Sequence, residues 1–176
     1  MTAIPFIRDF EFEYGRCDRL SDRIRRVIAP NPGPFTYTGT GVYIIGHGEV
    51  SVIDPGPVHP DHIEAIDRAL AGERVTHVFV THHHLDHSPM AHPLAEKHGA
   101  TVYGYGPQIT PPAGGEVRLE AGDDTGFKPD VQVRDGEVFR GKDWSIEALH
   151  TPGHTSNHVC YALLEENTLF AGDHVM

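Results

Sequence analysis

The sequence feature that most constrains the fold is a run of potential metal ligands, His82–His87 (HHHLDH), just after the apolar stretch Thr76–Val80. Successive side chains of an extended chain point to opposite faces, so alternate residues of the run share one face and His83 takes the other. The side chains expected to share a face are His82, His84 and Asp86. We expect His87 to follow where the chain turns toward a helix. Two imidazoles and a carboxylate suit Zn²⁺, and Fe or Mn with lower preference, so the run predicts a metal site at a strand end.

Two further potential ligands occupy turns that follow predicted strands. His154 lies in the Pro-Gly turn of His150–Thr155 (HTPGHT), and Asp173 lies in Ala171–His174 (AGDH). Loops that follow strands in this way commonly carry the functional residues of α/β folds. We therefore expect both side chains to join the histidine run in one site.

Composition narrows the class of protein around this site. The chain of 176 residues holds 14 histidines and only two cysteines, Cys17 and Cys160, too few for a disulfide framework. There is no apolar run of about 18 residues and no secretory signal, so we expect no membrane contact and a cytoplasmic location. The net charge of −11 makes a groove that follows nucleic-acid phosphates less favoured.

The order of predicted elements indicates an α/β sandwich with a mixed sheet. Residues 1–35 are expected to be an irregular N-terminal segment, and residues 36–176 one domain. Apolar periodicity predicts helices over Pro60–Leu70 and over Pro89–His98, the latter with Ser88 as its N-cap. The loop Pro107–Pro129 is expected to be exposed. The predicted strands are Gly41–Ile45, Glu49–Ile53, Thr76–Val80, Ala100–Gly104, Val131–Val133, Trp144–Leu149, His158–Leu164 and Thr168–Ala171.

Taken together, HHHLDH, TPGHT and AGDH resemble the ligand motifs of the metallo-β-lactamase fold superfamily, and VSVIDPGP resembles its strand that ends in Asp-x-Gly. The resemblance runs from about Thr38 to the C-terminus and is strongest to the LACTB-like and hydroxyacylglutathione-hydrolase-like groups. It implies an αββα sandwich with two metal sites. The implied ligands are His82, His84 and His154 for the first metal, Asp86 and His87 for the second, and Asp173 as a bridge.

The resemblance also implies a chemistry. We expect a binuclear zinc hydrolase in which a metal-bound hydroxide attacks an ester, thioester, lactone or phosphodiester, with Asp86 as both ligand and catalytic residue. A small-molecule substrate is preferred, and RNA is the alternative substrate. Two rival functions stay open: a mononuclear iron oxygenase of the persulfide-dioxygenase kind, and a non-catalytic metal-binding fragment.

One departure from the superfamily pattern shapes the remaining expectations. The second half of the sandwich is expected to be incomplete here and to continue beyond residue 176, taking one further histidine ligand with it. We therefore expect a weaker second metal site, and self-association through unpaired strands. Asp54 is expected to accept a hydrogen bond from a ligand imidazole. His174 is not expected to be a ligand, and a role for His158 stays open.

Overall fold

The computed structural model describes residues 11–107 and 122–175, and two β-sheets dominate them. The first sheet has seven strands in the order β1-β2-β3-β4-β5-β6-β7. Its first three strand pairs are antiparallel and the last three are parallel, which is the predicted mixed sheet. The strands are β1 (Cys17–Arg19), β2 (Ile24–Ile28), β3 (Gly41–Ile45), β4 (Glu49–Ile53), β5 (Arg74–Phe79), β6 (Thr101–Gly104) and β7 (Val131–Gln132).

The second sheet has four antiparallel strands in the order β11-β10-β9-β8. Its strands are β8 (Val138–Arg140), β9 (Ser145–His150), β10 (Val159–Leu163) and β11 (Thr168–Phe170). Two short 3₁₀ turns, Leu164–Glu166 and Gly172–His174, follow β10 and β11.

Two helices, α1 (Pro60–Ala69) and α2 (Ala91–His98), connect the parallel strands β4, β5 and β6. Among the described residues, neither helix is long and apolar enough to cross a membrane. The helix α2 begins two residues later than predicted, and the hydroxyl of Ser88 donates to Asp124 Oδ2 at 2.8 Å rather than capping the helix. Gly99 ends α2 in the left-handed conformation that a side chain disfavours.

Two apolar cores lie on opposite faces of the first sheet. Val42 and Val52 pack with Ile66 of α1 and Leu94 of α2 in the core between sheet and helices. On the other face, residues of both sheets meet in the core between the sheets. These residues include Ile45, Ile53, Phe79, Trp144, Ile146 and Tyr161. The αββα sandwich predicted from the sequence is thus confirmed, with three of its layers carried by the described residues.

The N-terminal prediction was wrong. Within the segment expected to be irregular, residues 17–19 form β1 and residues 24–28 form β2 of the first sheet. Their arginines hid the strand pattern, since Arg25 is paired with Glu73 at 3.0 Å and Arg26 with Asp18 at 3.5 Å. Residues 1–10 lie outside the described residues.

The loop prediction was also partly wrong. Residues 108–121 of the predicted exposed loop lie outside the described residues, but Phe127 beyond them is buried in the core under the helices. Nearby, Asp123 forms an isolated β-bridge with His84. This part of the loop is therefore packed against the histidine run.

Candidate metal centre

The candidate site lies where four strands of the two sheets end. Asp54 follows β4, the run His82–His87 follows β5, His154 follows β9 and Asp173 follows β11. The six ligands expected from the sequence are thereby brought together in two groups that share Asp173.

The first group, here called the imidazole-rich group, comprises His82, His84, His154 and Asp173. One ligand atom from each side chain lies within 4.8 Å of the others. His84 Nδ1 is 3.0 Å from both His82 Nε2 and His154 Nε2. A ring nitrogen has one lone pair, so His84 Nδ1 cannot accept hydrogen bonds from both neighbours. Three nitrogens converging in this way match the donor set of a bound cation, since ligands about 2.0 Å from Zn²⁺ in a tetrahedron lie roughly 3.3 Å apart.

The second group, here called the carboxylate-rich group, comprises Asp86, His87 and Asp173. His87 Nε2 is 3.2 Å from Asp86 Oδ2 and 3.4 Å from Asp173 Oδ1. The buried Asp86 Oδ1 has no hydrogen-bond partner within the described part of the chain. A buried carboxylate oxygen in that state indicates room for a cation or a water. These donors fit a second metal ion.

The turn that carries Asp86 and His87 differs from the extended geometry expected from the sequence. The backbone N–H of His87 donates to the carbonyl of His84 at 3.0 Å, so the chain bends after His84. Strand alternation therefore explains why His82 and His84 share a site and His83 does not. It does not explain Asp86, which reaches the site through the turn together with His87.

Asp54 holds one ligand of each group in a defined orientation. Its Oδ2 accepts from His87 Nδ1 at 2.9 Å, as predicted for this residue. It also accepts from the hydroxyl of Thr81 at 2.7 Å, so the oxygen of Thr81 can accept from His82 Nδ1, 3.0 Å away. With those protons on Nδ1, the Nε2 atoms of both histidines are the ones that face the two groups as potential ligand atoms. The φ of Asp54 is 49°, an uncommon value outside glycine that commonly marks functional sites.

The two groups differ in their charge before any metal binds. Burial and the neighbouring histidines together lower the pKa of His82 far below its usual value. Burial also acts to lower the pKa of His87, but Asp54, Asp173 and Asp86 outweigh it and raise that pKa well above its usual value. Burial likewise acts to raise the pKa of Asp86, yet hydrogen bonds from His87 and Thr40 bring it to about 2. The metal-free carboxylate-rich group therefore holds a proton that a metal ion must displace.

Several contributors were missed from the sequence. The hydroxyl of Thr40 donates to Asp86 Oδ2 at 2.9 Å, and Thr81 links Asp54 to His82. Asp123 Oδ1 lies 3.5 Å from His84 Nε2. Single hydroxyls, and one of two adjacent acids in a loop, carry no sequence pattern that identifies them as part of a metal site.

His158, whose role the sequence left open, lies beneath the imidazole-rich group. Its fully buried ring stacks on that of His82, with centroids 5.1 Å apart. Burial lowers its pKa to about 4. A Cβ on Gly172 would lie 2.8 Å from both His158 Nε2 and Thr81 Oγ1, so glycine before Asp173 allows this close packing. His158 and His174 both lie outside the two groups.

A cavity of about 600 Å³ opens beside the carboxylate-rich group. Asp86, His87 and Asp173 form part of its wall, together with Asp54 and Thr40. Apolar and aromatic side chains form much of the remainder: Leu20, Ile24, Phe35, Tyr43, Leu169 and Phe170. The cavity therefore joins the potential metal ligands to an apolar surface.

Comparison with known proteins agrees with this geometry. The family model of the metallo-beta-lactamase superfamily matches residues 37–176. An atrochrysone carboxyl ACP thioesterase of Cryptosporiopsis sp. is 33% identical over 178 aligned residues, which cover 99% of this chain and 48% of that protein. The atrochrysone carboxyl ACP thioesterase of Aspergillus terreus is 33% identical over 162 residues, which cover 90% of this chain and 46% of the relative.

A solved structure is similar as well. The crystal structure of ETHE1 from Myxococcus xanthus matches with a TM-score of 0.59 and 28% identity, covering 87% of this chain and 58% of that one. The chain thus spans about half the length of the curated relatives that it matches.

Proposed function

The chain belongs to the metallo-β-lactamase superfamily, and from that premise we propose that it is a metal-dependent hydrolase that cleaves a thioester. The observation that carries the proposal is the pair of ligand groups sharing Asp173. Two adjacent cation sites that share a carboxylate suit hydrolysis, since both the attacking and the leaving oxygen or sulfur lie close to positive charge.

We assign His82, His84, His154 and Asp173 to one metal ion and Asp86, His87 and Asp173 to the other. Zinc is the metal we propose, because imidazole and carboxylate donors suit it. When bound, the metal ions would supply Lewis-acid stabilisation of developing negative charge and would lower the pKa of a water molecule.

The side chains around these ligands orient both the ligands and the water. Asp54 fixes the ring of His87 directly and that of His82 through Thr81. Thr40 donates to Asp86 Oδ2, while the buried Oδ1 of the same carboxylate has no hydrogen-bond partner among the described residues. We assign Asp86 Oδ1 the task of accepting a hydrogen bond from the attacking water, which would aim the water's lone pair at the substrate carbonyl.

The cavity supports a substrate with an apolar acyl portion. It runs from Asp86 and Asp173 to the exposed side chains of Phe35 and Leu169. An acyl group lying against these side chains would place its carbonyl beside the ligand groups. Relatives of the chain include atrochrysone carboxyl ACP thioesterases, which favours a thioester over the lactone and phosphodiester alternatives.

An oxygenase with a single iron is the second candidate function. The motif resemblance leaves this alternative open, and ETHE1 of Myxococcus xanthus, at 28% identity, is a solved structure that the chain resembles. The carboxylate-rich group weighs against it, since a mononuclear enzyme would leave Asp86 and His87 without a metal to bind.

A substrate panel on the zinc-loaded and iron-loaded protein tests the proposal. We expect the zinc form to hydrolyse an aromatic acyl thioester of pantetheine faster than the matched oxygen ester or a bis-aryl phosphodiester. In Asp86→Asn, we expect the rate to fall by about 100-fold or more, the usual contribution of a positioned proton acceptor. His47→Ala, at an exposed histidine outside both ligand groups, serves as the control and should keep the rate. Oxygen consumption with a persulfide by the iron form, without thioester hydrolysis by the zinc form, would overturn the assignment.

A further inference from the structure

The short segment Gly122–Asp124 is bonded to the histidine run along its backbone. Leu85 N–H donates to the carbonyl of Gly122 at 2.9 Å, and Asp124 N–H donates to the carbonyl of His83 at 2.7 Å. Between these bonds, Asp123 and His84 form a β-bridge. The segment therefore behaves as a one-residue strand that fixes where the side chain of Asp123 lies.

The carboxylate of Asp123 lies behind the ring of His84. Asp123 Oδ1 is 3.5 Å from His84 Nε2, while His84 Nδ1, on the other side of the ring, lies 3.0 Å from His82 and from His154. The His84 side chain is only 5% exposed, so water has little access to its Nε2. Among the described residues, Asp123 belongs to neither ligand group, which agrees with its position on the far side of the ring.

A neutral imidazole that offers Nδ1 as a ligand must carry its proton on Nε2, and a buried N–H requires an acceptor. We propose that Asp123 is the positioning residue that accepts a hydrogen bond from this N–H and thereby fixes the tautomer and ring orientation of His84. The separation of 3.5 Å is long for a hydrogen bond. Catalytic hydrogen bonds are commonly long in unliganded sites and shorten on loading.

His83 holds the carboxylate from the other side. Its Nε2 is 3.2 Å from the same oxygen of Asp123, and its Nδ1 faces Asn157 Oδ1 at 3.0 Å. Asn157 is fixed in turn, because its Nδ2 donates to the carbonyl of Gly106 at 2.8 Å. The histidine excluded from both ligand groups thus helps to place the acid that orients His84.

Zinc affinity tests the proposal with matched alanine variants of neighbouring acids. Hydrogen-bond partners of metal-binding histidines typically contribute about 10–100-fold to metal affinity. Asp123→Ala should therefore weaken zinc binding to the imidazole-rich group by that factor. Asp124→Ala removes the same charge one residue further on, where the carboxylate accepts from Ser88 instead of a histidine, and it should stay within about threefold of wild type. Asp123→Asn keeps an acceptor oxygen and should fall between wild type and Asp123→Ala.

The metal-free protein provides a second readout that does not depend on the proposed function. Long-range ¹H–¹⁵N NMR spectra should show His84 with its proton on Nε2 in wild type and in Asp124→Ala. In Asp123→Ala we expect a mixture of tautomers. An unchanged tautomer and unchanged zinc affinity in Asp123→Ala would overturn the proposal, as would equal losses in Asp123→Ala and Asp124→Ala. A wild-type chain that binds no zinc would refute the proposed function, whereas the NMR comparison would still decide the role of Asp123.

Discussion

The imidazole-rich group and the carboxylate-rich group share Asp173, yet they are built in different ways. The first draws its three histidines from two loops, and their ring nitrogens approach one another to 3.0 Å. The second draws Asp86 and His87 from a single turn and surrounds one imidazole with carboxylates. Burial favours the neutral, ligand-competent form of His82, whereas the surrounding acids favour the protonated form of His87.

Because of this difference, the two adjacent sites need not bind metal with equal affinity. The imidazole-rich group has three nitrogen donors, and burial lowers the pKa of His82 and His84, which favours their neutral, metal-binding forms. The carboxylate-rich group must release the proton of His87 before that ring can act as a ligand. We therefore expect the first zinc to bind tightly and the second to bind more weakly, and substitutions in the two groups should affect the two zinc ions differently.

The largest effect is expected from Asp173→Ala, because this residue belongs to both groups. Both phases of a zinc titration should weaken, each by more than about 100-fold, since partners outside the ligand set alone contribute 10–100-fold. Competition with a chelating indicator measures both phases. Loss of one phase only would show that Asp173 does not bridge the two sites.

His84→Ala should abolish the tight phase and leave the weak one. The same substitution one residue earlier, His83→Ala, should retain the tight phase, with a loss no larger than that of Asp123→Ala, because His83 lies outside both groups and supports the site only through Asp123. Metal analysis of the two purified variants is the measurement. Equal loss of zinc in both would contradict the assignment of these rings to opposite sides of the loop.

His87→Ala should remove the weak phase and shift the tight phase by no more than a few-fold, because His87 belongs only to the carboxylate-rich group. His174→Ala, which also deletes a histidine near Asp173, should retain both phases. A chelator titration distinguishes them. If His174→Ala lost the weak phase, His174 would be a ligand of the second metal ion and His87 would act only by positioning other ligands.

The smallest effect is expected from Thr40→Val, which removes the hydroxyl that donates to Asp86 Oδ2. The weak phase should lose about tenfold in affinity and the tight phase should not change. Thr40→Ser keeps the hydroxyl and should restore the weak phase. A weaker tight phase in Thr40→Val would show that zinc binding to the imidazole-rich group depends on the carboxylate-rich group.

Much of the fold could be predicted from the sequence, because its signals are local. The bounds of β3 and β4 were predicted as they are found, since apolar runs flanked by glycines define them. The strand β2 was missed because its arginines are paired with acids such as Glu73 that lie far away in the sequence. No local pattern reveals such a partner.

In the candidate site, too, the residues in local motifs were predicted and the residues with distant partners were not. All six side chains predicted as ligands are brought together, because each stands in a motif directly after an apolar strand. Thr40 and Asp123 were not predicted, since each acts through a partner more than thirty residues away and neither stands in a repeating pattern. Sequence therefore indicates the ligands, while the side chains that orient them emerge only from the tertiary structure.

The most direct test of a two-metal site is the number and identity of the metal ions bound per folded chain. Stepwise zinc titration of the metal-free protein, with the bound metal counted by mass spectrometry, separates the two sites. We expect two equivalents of zinc, the first bound tightly and the second more weakly. A single equivalent at saturation, or a preference for one iron over zinc, would contradict the account.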